Sequence, residues 1–234
     1  MIVIEKGGLQ VRPILESSPL LSALSVDQMS DLEGACSVWS CNRGEPIWGS
    51  GESVDFFGLV GTGFVKMVKS SAAGIEMTME IMGPGQIFGL LGVMAGAGCP
   101  LMAHGLTNTS YVRIPKAKFL EVYEANDRLK DLLLRRTAIR MHQKLDFMAK
   151  LSSGRAEHRL AAILLILAES YGVREGKGVK LDVPLTRQAL AEMAGLTTET
   201  TIRVISRWTQ ESILNTDQHF VTICDEPTLE TKLT

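Results

Sequence analysis

Glu199 and Arg203 stand four residues apart in the run LTTETTIRVISRWTQ. On a helix that spacing puts both on one face. A carboxylate and a guanidinium side by side can read a G·C base pair from both sides. Arginine donates to guanine N7 and O6, and glutamate accepts from the cytosine N4 amine. The same two residues on any exposed helix form a pair that stabilises it by only about 0.2–0.5 kcal/mol. The surrounding frame favours base reading over that bland role. Thr186 is a good N-cap for a first helix, and Ala191 is small where two helices must approach. Gly195 sits in the turn, where positive φ is usually needed, and Thr197 or Thr198 caps the second helix. Thr201, Val204 and Trp208 recur at three and four, giving an inward stripe, while Ile202 and Thr198 lie alongside the Glu–Arg face.

The elements around this pair must position it. Ala156 to Tyr171 reads as a helix with a broad apolar face. Gly172 to Gly178 reads as a polar loop and Val179 to Val183 as a strand. After the two short helices comes an alternating pair, Ile213-Leu214 and Phe220 to Ile223, with its bend at Asn215-Thr216-Asp217-Gln218. Helix, helix, tight turn, helix, hairpin is the order of a winged helix-turn-helix. Upstream, Ala125 to Leu151 lacks Gly and Pro, and Gly154 closes that stretch. Leu134, Ala138, Met141, Leu145 and Met148 are spaced alternately by four and three, a heptad seam that brings two helices together. The competing reading is one amphipathic helix packed on its own domain; the spacing favours the dimer seam.

From Gly34 to Lys118 the texture changes to glycine and short alternating stretches. Phe56 to Val60, Gly63 to Val68 and Ile75 to Ile81 are strand-like. Turn signals at Arg43-Gly44, Gly49-Ser50-Gly51, Gly61-Thr62-Gly63, Ala73-Gly74 and Gly83-Pro84-Gly85 punctuate them. That pattern reads as a β-sandwich or jelly roll. Just before it, Ser25 with Asp27 and Gln28 marks a short capped helix.

Composition sets the bounds. The 234 residues are 45% hydrophobic and 21% charged, ordinary for a globular protein. The net charge of -2 gives nucleic-acid binding no bulk support, so any such case rests on the local motif. No apolar run approaches the ~20 residues of a bilayer crossing. The opening MIVIEKGGLQVRP lacks the apolar core of a secretory signal, so a cytoplasmic protein without membrane contact is expected. Cys36, Cys41, Cys99 and Cys224 contain no CxxC pair, which fits reduced thiols and gives no metal-site spacing.

These pieces arrive in a familiar order. CNRGEPIWGSGES opens the β-region, and GTGFVKM and IMGPGQIFG follow. A long helix, ALAEMAGLTTETTIRVISRW and a wing complete it. The whole chain resembles the Crp/Fnr superfamily of bacterial transcription regulators. The resemblance implies an α+β architecture: a cyclic-nucleotide-binding-like β-roll over 1–124, a dimerisation helix over 125–151, and a winged helix-turn-helix over 152–234. It implies a homodimer that reads palindromic double-stranded DNA under an effector's control, and that contacts RNA polymerase if it activates. Glu199 and Arg203 fall on the family's base-contacting positions. Thr186, Arg187, Thr197 and Thr198 are counted with them as DNA-binding, and Arg207 as a phosphate contact or plain surface. Relatives of the cyclic-AMP receptor carry Arg just before that Glu, where this chain has Thr198. The helix therefore looks more like the Fnr branch, with half-sites of TTGA type, although Ile202 replaces that branch's usual Ser. In the wing, Ser212 replaces a common Gly.

The resemblance also bears on the effector. Cyclic-nucleotide binders of this fold supply a Glu for the ribose and an Arg-Ser for the phosphate. Here Leu90 and Pro100-Leu101 take those places, and no Lys or Arg lies between Ser70 and Val112. A buried phosphate without a cation is hard to compensate, although a Gly-rich helix start can hold an anion. An effector other than cyclic AMP is expected. An iron–sulfur sensor needs about four thiolates. The Fnr-type N-terminal cysteine cluster is missing, and Cys36 and Cys41 read as small buried apolar residues. For haem, His104, His142 and Cys99 are available axial ligands. Structural or surface roles are preferred for them, and no cofactor is expected. Met77, Met79, Met82, Met94 and Met102 suggest an adaptable interior, for core packing or an apolar ligand. Gly89, Leu90, His104 and Arg140 are the candidate effector-binding residues. A cupin-type metalloenzyme would need several clustered ligands on the β-region, which holds only His104, so neither a metal site nor an enzyme is expected. The alternative is a ligand-binding or protein-interaction module whose DNA-binding half has degenerated, favoured by Thr198 and the acidic tail DEPTLETK.

Overall fold

The computed structural model describes residues 2–3, 10–71, 74, 76–96, 98–151, 155–176 and 178–233. Ile75 of the third expected strand, Ala73 of the turn before it, Gly154 and most of the N-terminal run lie outside them. The chain forms two compact units, 1–138 and 139–234.

The first unit opens with β1 (Ile2–Val3), α1 (Val11–Glu16) and α2 (Val26–Ala35). Ser25 caps α2 as its composition predicts. Its Oγ accepts from the Gln28 N–H at 3.2 Å, while the Gln28 side chain accepts from the Ser25 N–H at 3.1 Å. Strands β2 (Ser37–Cys41), β3 (Pro46–Trp48), β4 (Phe56–Thr62), β5 (Val65–Ser70), β6 (Glu76–Met82) and β7 (Ile87–Phe88) follow. Helix α3 (Leu90–Ala95), strands β8 (Met102–Gly105) and β9 (Thr109–Pro115), and helix α4 (Lys116–Glu124) complete the roll. Two antiparallel sheets result, with orders β1-β2-β9-β4-β7 and β3-β8-β5-β6. Strands β2, β3, β7, β8 and β9 carried no alternation of their own in the sequence. Strand β9, for example, buries successive residues from Thr109 to Val112, so both its faces are covered.

Aromatic rings join the two sheets. Trp48 of the four-stranded sheet stacks on Phe88 at 5.3 Å and meets Phe56 edge-on at 5.6 Å, and Phe88 meets Tyr111 at 5.7 Å. Phe88 lies directly over Gly58 of the neighbouring strand, so a methyl group there would overlap the ring. Gly58→Ala is therefore expected to cost ~1–3 kcal/mol by overpacking. Urea unfolding should show a lower midpoint; an unchanged midpoint would contradict this packing.

Helix α5 (Asp127–Leu151) spans the boundary between the units. Asn126 fixes its start: Oδ1 accepts from the Leu129 N–H at 2.9 Å, and Nδ2 donates to the Ala23 carbonyl and the Gln28 side chain.

The second unit has α6 (Ala156–Tyr171), β10 (Gly172–Glu175), β11 (Gly178–Leu181), α7 (Arg187–Ala194) and α8 (Thr198–Gln210). Strands β12 (Leu214–Asp217) and β13 (Phe220–Ile223) and helix α9 (Glu226–Thr231) end it. Two details correct the sequence reading and a third adds to it. The expected loop at 172–178 contains β10, paired with β11; all four of its residues are exposed, so no hydrophobic alternation marked it. The expected bend at 215–218 shifts to Gln218 and His219. Pairing of Asp217 with Phe220 extends the ladder, and Gln218 takes the turn's φ of 52°. The acidic tail is a helix. Asp225 accepts from the Thr228 N–H at 3.0 Å and from its hydroxyl at 2.6 Å, and Leu229 is fully buried. Asp225 caps this helix, and Glu230 is exposed. Ser212 has φ 58°, the conformation glycine adopts most cheaply.

Candidate nucleic-acid interface

The turn between α7 and α8 is built from local signals. Thr186 Oγ1 accepts from the Ala189 N–H at 3.0 Å, capping α7. Gly195 ends that helix at φ 60°, ψ 42°, and the Leu196 N–H returns to the Ala191 carbonyl at 2.9 Å. Of the two expected caps for α8, Thr197 performs the role. Its Oγ1 accepts from the Thr200 N–H at 3.2 Å, and its carbonyl accepts from the Thr201 N–H and hydroxyl. Thr201, Val204, Ile205 and Trp208 are buried, as the inward stripe requires.

The opposite face is open. Thr198, Glu199, Ile202 and Arg203 are exposed, with Ile202 at 46%. Among the described residues, no ion pair joins Glu199 to Arg203, so the helix-stabilising alternative is not what the pair does in this structure. Arg207 behaves differently. Its guanidinium meets Glu157, in the first turn of α6, and its Nε lies 3.8 Å from Glu211. The Glu157 carboxylate raises the pKa of that guanidinium. Arg187, at the start of α7, is half-buried, and burial lowers its pKa.

Sequence reasoning missed Arg159, whose Nη1 donates to the Gly195 carbonyl at 3.1 Å. It also missed Glu157. Both act across long sequence separations that no local spacing reveals.

The seam residues of α5 point to solvent in the single chain. Leu134 is 71% exposed, Met141 60%, Leu145 55% and Met148 66%, and Ala138 is exposed as well.

Three of the candidate effector residues, Gly89, Leu90 and His104, lie in the roll, and the fourth, Arg140, lies on α5. Gly89 is left-handed at φ 81°, and a Cβ there would fall 2.6 Å from the Trp48 ring. Leu90 is buried beside it, and His104 is half-buried on β8 between Pro46 and Lys66. Arg140 is half-buried on α5. Lys69, just outside the cation-free stretch, reaches Pro100: its Nζ donates to the Pro100 carbonyl at 3.1 Å from an exposed position. Arg113, on the other side of that stretch, stacks 3.5 Å over Trp39 and 4.1 Å over Phe56 and donates to the Tyr111 hydroxyl. Burial pushes the Cys36 thiol up to about 12 and the Cys41 thiol up to about 11. Both stay protonated and pack as apolar residues. Among the described residues, no group of three or more His, Cys, Asp and Glu could hold a metal ion. None of their helices is long and apolar enough to cross a membrane.

A β-roll followed in the chain by a long helix and a winged helix-turn-helix defines a class of DNA-binding regulators. Residues 38–126 match the model of the cyclic nucleotide-binding domain, and residues 158–232 that of the Crp-like helix-turn-helix domain. The chain is 25% identical over 199 residues to the global nitrogen regulator of Nostoc sp., covering 84% of this chain and 89% of that protein. It is 25% identical over 187 residues to the CRP-like cAMP-activated global transcriptional regulator of Mycobacterium tuberculosis, covering 80% and 84%. The fold matches the structure of FixK2 from Bradyrhizobium japonicum with a TM-score of 0.74 at 22% identity, over 85% of this chain and 98% of that one. The chain belongs to the Crp/Fnr superfamily of transcription regulators. It is a transcription regulator with a cyclic nucleotide-binding domain and a helix-turn-helix DNA-binding domain, not an enzyme.

Proposed function

We propose that this regulator works as a homodimer and reads a palindrome of TTGA-type half-sites, under an effector other than cyclic AMP. The observation that carries the reading is the exposed face of α8, where Glu199, Ile202 and Arg203 lie open to solvent. With α8 entering the major groove N-terminus first, Arg203 reaches guanine, Glu199 the cytosine amine and Ile202 a thymine methyl. Thr198 is too short for a bidentate contact, so the flanking G read by relatives of the cyclic-AMP receptor is not required. Thr186, Arg187 and Thr197 sit at the starts of the two helices, where hydroxyls and a guanidinium suit phosphates. The seam Leu134, Ala138, Met141, Leu145 and Met148 joins the two copies. Domain limits of 1–124, 125–151 and 152–234 follow from this division of labour, and the cytoplasm is where the protein acts. Where it activates, RNA polymerase is its partner. Selection from a random DNA library tests the reading: enriched sites lacking paired TGA/TCA elements would refute it.

For the sensor, the buried Leu90 and the uncharged Pro100-Leu101 leave a ribose and a phosphate without their usual partners, and the exposed Lys69 ammonium donates to the Pro100 carbonyl. Calorimetry with cyclic AMP should show no binding at micromolar concentration. A micromolar or tighter dissociation constant would overturn this half of the proposal.

A further inference from the structure

Along α8 and its C-cap, charges recur every four residues: Glu199, Arg203, Arg207 and Glu211. The two arginines are one helical turn apart and both exposed. Their surroundings differ. Arg203 is left open, whereas Arg207 is held by Glu157 from α6 and approached by Glu211, which caps the end of α8. Arg207 is 47% exposed and Glu157 39%, so the contact lies at the surface, within reach of a docking polyanion. Glu157 also sits in the first turn of α6, where the helix dipole favours a carboxylate.

We propose that Glu157 is an intramolecular competitor for DNA phosphate: it occupies Arg207 and so sets how strongly the recognition helix binds DNA of any sequence. The inference rests on the DNA-reading role proposed for α8. A phosphate contact carries no base information, and the phosphate contribution dominates non-specific affinity. A cation tied to a carboxylate must give up that partner before it meets a phosphate, so it adds little. Exposed ion pairs are worth little to stability, so the same contact can be undone without unfolding the helix. In a chain with net charge -2, this leaves base reading by Glu199 and Arg203 with a larger share of the binding.

Binding of a short duplex of scrambled sequence, followed by fluorescence anisotropy between ~50 and ~200 mM salt, tests the proposal. Glu157→Gln should bind roughly 3- to 10-fold more tightly than wild type at ~0.1 M salt, with a log–log salt slope steeper by about 0.9. Combining it with Arg207→Ala should erase both changes. Glu211→Gln, which leaves α6 untouched, should give a smaller gain of the same sign. A gain that persists without Arg207 would reflect bulk charge alone and overturn the proposal, as would no gain in either single variant. Thermal melting of each variant guards against misfolding. If wild type and all variants bind neither scrambled nor selected DNA, the role of α8 itself is wrong and this proposal falls with it.

Discussion

Arg203→Ala is expected to weaken binding to the selected palindrome by ~1–3 kcal/mol for each half-site and to relax preference mainly at one G·C pair. Arginine makes two parallel hydrogen bonds to guanine N7 and O6, and alanine makes none. The effect should appear at one position because Glu199 and Ile202 remain to read their own edges. Structurally the substitution is mild, since Arg203 is exposed and the inward stripe Thr201, Val204, Ile205 and Trp208 holds α8 in place. Melting temperature should therefore barely change while the sequence preference shifts. A second library selection with the variant decides the matter. If the enriched site is unchanged at every position, Arg203 is not a reader, even if the protein binds DNA.

Met141→Asp together with Leu145→Asp should convert the protein to a monomer. The exposure of Leu134, Met141, Leu145 and Met148 leaves a row of large apolar side chains in water for as long as the chain is alone. Pairing two such helices buries them, and two aspartates per chain would then lie unpaired in an apolar seam, a cost of several kcal/mol each. Palindrome binding should collapse with the dimer, because one half-site alone offers half the contacts. Sedimentation equilibrium reads the outcome directly. Wild type sedimenting as a monomer at micromolar concentration would remove the seam from the account.

The DNA-binding half was the more legible in sequence because its signals are local. Thr186, Gly195 and Thr197 do their work within five residues of themselves, and the stripe on α8 follows from helical period alone. The long helix was legible for the same reason. The roll was legible as a class but less so strand by strand: short strands buried on both faces, such as β9, lose the alternation that marks a half-buried one. Strand β10 failed in the opposite way, since all of its residues are exposed. Helix α9 was hidden by its acidic composition, although Asp225 followed by Glu226-Pro227 is a helix start. Partnerships across the fold left no trace in spacing. Glu157 with Arg207, Arg159 with Gly195 and Arg113 with Trp39 become neighbours only when the chain closes.

Trp208 has a consequence of another kind. It is one of three tryptophans, and the other two, Trp39 and Trp48, belong to the first unit. Its indole is fully buried, and among the described residues its Nε1 has no hydrogen-bond partner. An indole sheltered from water and lacking a polar partner emits towards the blue. Trp39 is partly exposed, with a guanidinium lying across its ring, and Trp48 donates to the Leu101 carbonyl. The helix proposed to face DNA thus carries an optical reporter of its own. Emission from Trp208 tracks the packing of α8, while Trp39 and Trp48 track the roll.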